Sequence, residues 1–110
     1  MRDIEFFVDR IEANGLCIGH NGRKNVPLGT VFTVIRKSRI DGETANLVTV
    51  DLGVIANVSL TLKEVHTWRK TVPEIPGGHA AGLRLEGVGL NTLEEALKQK
   101  GTREYVRLQA

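Results

Sequence analysis

The stretch that decides the fold covers residues 58–88 and reads VSLTLKEVHTWRKTVPEIPGGHAAGLRLEGV. At its start, Val58, Leu60 and Leu62 alternate with hydroxyl-bearing residues, which is typical of a strand with one buried face. The next apolar residue is Val65, because the two residues before it are both charged. A slip of one position inside a strand is what a β-bulge produces, so we predict a bulged strand that ends near residue 68.

Short apolar segments separated by turn signals continue from this stretch towards both ends of the chain. Asn14-Gly15, Asn21-Gly22 and Asp41-Gly42 are turn pairs, because Asn, Asp and Gly adopt positive φ at low steric cost. We predict strands over residues 4–11, 16–19, 31–36, 47–52, 58–68, 83–88 and 104–108. Short strands at this spacing indicate an all-β barrel or sandwich, and 110 residues suit a single domain.

One segment has helical periodicity. Leu90, Leu93 and Leu97 recur at helical spacing, and we predict a helix over residues 92–100 with a side-chain N-cap from Asn91 or Thr92. A leucine stripe of this kind usually docks on the core of its own domain, and the alternative is that it binds a partner.

Three features within residues 58–88 carry a resemblance to a known family. Trp68-Arg69-Lys70 ends a strand, Gly77-Gly78 forms a small-residue turn, and a Gly-Leu-x-Leu-x-Gly pattern occupies residues 82–87. In this order they resemble the second domain of the elongation-factor-Tu class of translation GTPases, and residues 14–32 are similar to the opening hairpin of that domain. The resemblance covers about residues 4–88. It implies a small antiparallel Greek-key β-barrel of the translation-protein type, which one short C-terminal helix and a final strand follow here, within about residues 91–108.

The functional implication of the resemblance is contact with RNA. In the full-length factors this domain contacts ribosomal RNA and, in some members, the acceptor end of charged tRNA, and it packs on the GTPase domain. Members that hold aminoacyl-tRNA have Glu and Asn in their pocket where His66 and Ala80 stand here, whereas Arg69 matches. The resemblance does not extend to a GTPase domain, so it implies no GTP hydrolysis.

Composition sets broader limits. The net charge of +2 permits nucleic-acid binding without requiring it. No apolar run approaches the ~20 residues of a membrane-spanning helix, and the N-terminus carries acids where a secretory signal has basic residues. We therefore expect a cytoplasmic protein with no membrane partner. Cys17 is the only cysteine and lies in an apolar run, which indicates a buried small hydrophobe.

Motifs for catalysis or cofactor binding are missing from the sequence. It contains neither a phosphate-binding loop nor a dinucleotide fingerprint, and His20, His66 and His79 do not have zinc-site spacing. Ser38, in a predicted basic turn, and Ser59, on the outer face of a strand, lack the context of an activated nucleophile. We therefore expect a non-catalytic binding module without metal or cofactor.

Basic residues cluster near the predicted strand ends, in residues 23–24, 36–39 and 69–70. An aromatic face beside fixed cations can stack a base and neutralise a phosphate. We predict that the chain binds RNA or a ribonucleoprotein such as the ribosome through Arg36, Lys37, Arg39, Trp68, Arg69 and Lys70.

Three alternatives remain open at this stage. One is an enzyme or small-ligand binder, which needs a deep pocket with converging polar groups. Trp68 could instead plug one end of the barrel, with solvated cations beside it. The chain could also be a protein–protein interaction module, with a GTPase as one kind of partner, that uses barrel edges and the leucines of the helix.

Overall fold

The computed structural model describes residues 4–110, which form mostly antiparallel β-sheet with one short helix. The strands are β1 (Glu5–Ile11), β2 (Cys17–Asn21), β3 (Val26–Pro27), β4 (Val31–Asp41), β5 (Val48–Thr67), β6 (Lys70–Val72), β7 (Glu74–Ile75), β8 (Ala80–Val88) and β9 (Glu104–Gln109), and the helix α1 covers Leu90–Gln99. The all-β class predicted from the sequence is therefore confirmed, and so is the position of the helix near the C-terminus.

Six strands share one continuous set of antiparallel ladders. Their order is β4-β9-β1-β2-β8-β5, and β5 also pairs with β4, so each of the six has a paired neighbour on both sides. Strand β6 forms a hairpin with the end of β5, and β3 and β7 make a separate two-stranded pair. The final strand β9 lies between β1 and β4, which makes the C-terminal segment an integral part of the sheet.

The core consists of the apolar side chains that alternate along these strands. The largest fully buried ones are Phe6, Phe32, Ile35, Leu60, Leu62, Ile75, Leu83, Leu93 and Leu108. Cys17 is also buried, as the sequence predicts, and this burial raises the pKa of its thiol to about 11. The sole cysteine is therefore a packing residue whose thiolate is scarce at neutral pH.

Strand β5 differs from the sequence prediction in length. Residues 47–52 and 58–68 were predicted as two strands, but Val48–Thr67 is continuous and pairs with β4 from Val48 to Thr61. Bulges in the β4–β5 ladder accommodate the glycine and asparagine between the two predicted strands, so these residues do not break it. The bulge predicted near residue 63 is confirmed, because the ladder with β8 shifts register between Leu62 and Glu64.

The helix begins earlier than predicted and has a different cap. Its first residue is Leu90, its N-cap is Gly89, and no side chain caps it, so the prediction of a cap from Asn91 or Thr92 is wrong. Gly89 has φ 116°, and a Cβ there would lie 2.3 Å from Val58 Cγ1. Only glycine fits this sharp junction between β8 and α1, and the helix starts directly after it.

The leucine stripe of α1 packs on the body of the domain. Leu93 is fully buried with Ala96, and Leu90 and Leu97 pack against the core with part of their surface exposed. This face of the helix is therefore occupied by the chain itself.

Candidate functional site

The turn between β5 and β6 has an unusual backbone. Thr67 pairs with Lys70, which leaves Trp68 and Arg69 as the two loop residues of a hairpin. Their φ values are +36° and +71°. Two-residue hairpins favour positive φ at both positions, because this matches the twist of the strands, but they normally use Asn or Gly. Tryptophan and arginine are strained there, so the fold holds two poorly suited residues at this turn.

The side chains of this turn lie in solvent. Trp68 is 90% exposed, which makes it the most exposed large apolar residue of the described chain. The alternative that Trp68 plugs one end of the sheet is therefore wrong. Arg69 and Lys70 are also exposed, and neither has a carboxylate within ion-pair distance in residues 4–110. We call Trp68, Arg69 and Lys70 the tryptophan turn.

A second basic pair lies at the same end of the sheet. Strands β2 and β5 both run antiparallel to β8, so both end where β8 begins. Arg23 and Lys24 follow β2, whereas the tryptophan turn follows β5. The structure therefore brings two of the three basic clusters to one end.

Two asparagines fix the loop that carries Arg23 and Lys24. Asn21 is buried, and its Nδ2 donates to the carbonyl oxygens of Lys24 at 2.7 Å and Ile75 at 3.2 Å. Asn25 Oδ1 accepts from the backbone N–H of Gly77 at 2.7 Å. These bonds join the loop after β2 to the segment before β8, so they hold the backbone beside Arg23 and Lys24 in place.

The basic cluster on β4 lies elsewhere and is neutralised. Because β4 runs antiparallel to β5, residues 36–39 lie towards the opposite end of the sheet. Each of these cations contacts one carboxylate: Arg36 Nη2 lies 2.5 Å from Asp51, Lys37 Nζ lies 2.6 Å from Glu104, and Arg39 Nε lies 2.7 Å from Asp41.

The β4 cations also point to two sides of the sheet. In the ladder with β9, Arg36 is opposite Arg107 and Lys37 is opposite Val106, so successive side chains alternate between the faces. Ser38 lies between Lys37 and Arg39, inside β4, and is buried. The prediction that Ser38 is a turn residue is therefore wrong. The sequence cluster is thus a strand segment in which Arg36 and Lys37 form cross-strand ion pairs, whereas Arg39 pairs with Asp41 of the same strand.

The pKa values of the carboxylates in these pairs are lowered, as hydrogen-bond donors and nearby cations require. The backbone N–H of Gly53 and then Arg36 lower the pKa of Asp51, and the backbone N–H of Gly101 and then Lys37 lower the pKa of Glu104. The hydrogen bond from Arg39 lowers the pKa of Asp41 in the same way. All three groups are thus held in the charged form by donors of the fold.

Sequence reasoning missed a trough on the outer face of the sheet. Phe7 stacks on His20, with ring centroids 5.1 Å apart and planes at 10°. These rings, with Ser38, Tyr105 and Arg107 among others, line an open trough of about 350 Å³. Arg107 is isolated in the sequence, so only strand register could have placed it beside these aromatic rings.

The histidines belong to no metal-binding group within residues 4–110. His66 lies near the start of β8, with Nε2 2.8 Å from Glu64 Oε1. In this part of the chain no three His, Cys, Asp or Glu side chains are grouped so that they could hold a metal ion. Over the same residues, no helical segment reaches the length and apolar character needed to span a membrane.

Comparison of the chain with known protein families, curated proteins and solved structures gives no match.

Proposed function

We propose that this chain is a non-catalytic RNA-binding module, a closed Greek-key barrel like the second domain of elongation-factor-Tu-class translation factors. The ladders that run from β4 through β9, β1, β2, β8 and β5 back to β4 support barrel closure. The aromatic-Arg-Lys element at residues 68–70 follows β5, and the glycine turn at residues 77–78 precedes β8, which pairs with β5; the resemblance to that family implies the same order.

The exposed tryptophan in a strained turn is the observation that carries the proposal. A solvated indole leaves about as much apolar surface in water as any side chain can, and the positive φ values add a further cost. An exposed face of this kind stacks nucleobases, with a gain of about 1–3 kcal/mol per base. Arg69 and Lys70, which have no protein counter-ion in the described chain, then bind the adjacent phosphates.

Arg23 extends this surface along the same sheet end. It is exposed and follows β2 on a loop that Asn21 and Asn25 fix. Single-stranded RNA fits this arrangement better than a duplex, because a base must be unstacked before an indole can stack on it. The proposed ligand is therefore a single-stranded segment, free or within a ribonucleoprotein, whose backbone passes from Arg69 and Lys70 towards Arg23.

A fluorescence titration tests the proposal directly. Trp68 is the only tryptophan, so its emission reports on the proposed site alone. Addition of a single-stranded RNA oligonucleotide at low salt should quench this emission, and the affinity should fall steeply as salt rises. Absence of binding at low salt, or an affinity indifferent to salt, would contradict the proposal.

Variants with labelled RNA separate the site from general charge. Trp68→Asn removes the indole and introduces a residue that tolerates left-handed φ. RNA binding should therefore weaken by about tenfold or more. Lys70→Ala should weaken binding at low salt. Lys98→Ala, an exposed lysine on α1, is the matched control and should bind like the unmodified chain. Equal losses for Lys70→Ala and Lys98→Ala would show non-specific attraction.

A further inference from the structure

The first half of β5 has one unpaired edge. Strand β5 pairs with β4 from Val48 to Thr61, but its ladder with β8 starts only at Ser59. Within residues 4–110, no strand pairs with the other side of residues 48–57, and the turn and loop hydrogen bonds between backbone groups do not involve these residues. We call residues 48–57 the β5 edge. Backbone N–H and C=O groups along such an edge are free to pair with another strand.

The β5 edge is apolar as well as unpaired. Four of its large hydrophobic side chains are between 39% and 58% exposed, namely Val48, Leu52, Val54 and Ile55, and Leu47 directly before them is 55% exposed. Leu52 and Ile55 are the extra residues at register shifts in the ladder with β4. Bulges normally protect an edge, but here they add exposed apolar side chains to it, while Val48–Asp51 stays regular.

Charge along the β5 edge does not oppose association. Asp51 is its single ionisable residue, and this carboxylate already contacts Arg36 at 2.5 Å and Arg107 at 3.7 Å. Natural edge strands usually carry lysine or proline against unwanted pairing, and neither residue occurs in 48–57. An RNA partner does not fit, because the edge presents no cation of its own.

We propose that the β5 edge is a self-association surface, on which a second copy of this chain pairs antiparallel with the first. The alternating donors and acceptors of one edge are complementary to those of an identical antiparallel edge, so a two-fold dimer needs no other component. Hydrogen bonds form along the regular stretch Val48–Asp51, and Leu52, Val54 and Ile55 lose solvent exposure against the partner copy. An extended segment of a different protein would use the same backbone groups, and the experiment below separates the two occupants.

The dimer leaves the tryptophan turn accessible. That turn follows the C-terminal end of β5, whereas the β5 edge occupies its N-terminal half. Strand residues advance about 3.3 Å each, so Val54 and Trp68 lie far apart along the strand. Self-association and RNA binding can therefore be tested independently of each other.

Sedimentation analysis of the full chain over a wide concentration range is the primary test. The unmodified chain should form a dimer whose fraction rises with concentration. Val54→Lys should weaken dimerisation by at least about tenfold, because a charged side chain replaces an apolar one that loses solvent exposure in the dimer, and the substitution occurs twice in a two-fold interface. Val88→Lys is the matched control: Val88 is an exposed valine at 76% that lies outside the β5 edge, and this variant should dimerise normally.

Two further measurements keep the test decisive. If Val54→Lys fails to fold by circular dichroism, Ile55→Lys replaces it, since Ile55 is 42% exposed on the same edge. Amide hydrogen exchange should slow in residues 48–57 as the concentration rises, while the tryptophan turn stays unchanged. A chain that stays monomeric at every concentration, or a dimer that Val54→Lys and Val88→Lys affect equally, would overturn the proposal; a monomer would leave the edge to a different protein.

Discussion

Arg36 Nη2 donates a hydrogen bond to Asp51 Oδ2 at 2.5 Å, across the ladder that joins β4 to β5. Nη2 of Arg107 lies 3.7 Å from the other oxygen of the same carboxylate. Arg36 therefore contributes little free positive charge to the surface, although it belongs to the densest basic run of the sequence. Arg69 and Lys70 are only two cations, against three on β4, but no carboxylate of the described residues neutralises them.

The first prediction compares these two kinds of cation. Lys70→Ala should reduce the slope of log affinity against log salt for single-stranded RNA by about 0.7, the value for one lost phosphate contact. Arg36→Ala should leave the slope nearly unchanged, because its charge is already paired. Titrations of labelled RNA at four or more salt concentrations measure both slopes. Equal slope changes would extend the RNA site to β4 and refute its restriction to the tryptophan turn.

The second prediction concerns strain in the tryptophan turn. The double variant Trp68→Asn/Arg69→Gly places the residues that two-residue hairpin turns favour at φ +36° and +71°. We expect the free energy of unfolding to rise by about 1–2 kcal/mol, since each strained residue costs about 1 kcal/mol or more. The thermal midpoint should rise by several degrees while RNA affinity falls.

A single substitution separates strain from the indole. Trp68→Ala removes the ring but keeps a side chain in left-handed φ, so its RNA affinity should fall without a gain in thermal midpoint. Thermal unfolding by circular dichroism gives the comparison. If the double variant were no more stable than Trp68→Ala, the turn would not be strained in the free protein.

Local patterns were sufficient to predict much of the sheet. Alternation of apolar residues places β1, β8 and β9 close to their observed positions, and the polar pair after Leu62 marks the bulge against β8. The burial of Cys17 follows from the apolar run around it. These features depend on residues that are close in sequence, where side-chain period and turn chemistry decide.

Features that depend on strand register could not be predicted in this way. Asp51 and Glu104 neutralise β4 cations from other strands, and their positions follow only from the pairing. Continuity of β5 through Gly53 depends on the bulges opposite β4, and the early start of α1 depends on the close approach of Gly89 to Val58. The exposure of Trp68 is a fourth case, because an aromatic residue after a strand could equally fill one end of a barrel or form the tip of a hairpin.

The third prediction is a loss of stability in acid. The folded-state pKa values of Asp51 and Glu104 lie below their ordinary values of 3.8 and 4.5. Their contribution to stability is therefore complete above those ordinary values, and it is lost as pH falls through the lowered folded-state values. Urea unfolding at a series of pH values should show the free energy of unfolding decreasing below about pH 4.5.

Two glutamine variants assign this acid sensitivity. Glu104→Gln should lower stability at neutral pH and reduce the further loss in acid, because the amide cannot form the ion pair with Lys37. Glu43→Gln is the matched control, since Glu43 is an exposed glutamate in the loop after β4, outside the ion pairs with the β4 cations. A Glu104→Gln profile parallel to that of the unmodified chain would show that the pair with Lys37 does not stabilise the fold.

The fourth prediction tests the close packing of β1 against β2. A Cβ on Gly19 would lie 1.9 Å from the carbonyl oxygen of Phe7 and 2.8 Å from the ring of Phe6. Backbone cannot move aside as a flexible side chain can, so Gly19→Ala should destabilise the fold by about 3 kcal/mol or more.

Gly101→Ala is the control, because the nearest atom to a Cβ at this position is 3.5 Å away and belongs to the Glu104 side chain. We expect this variant to change the free energy of unfolding by less than about 1 kcal/mol. Neither glycine has φ in the left-handed region, so the difference between the two urea midpoints isolates steric overlap from backbone strain. Equal midpoints would mean that β1 and β2 do not approach through Gly19, and the Phe7–His20 stack beside it would then lose its structural basis.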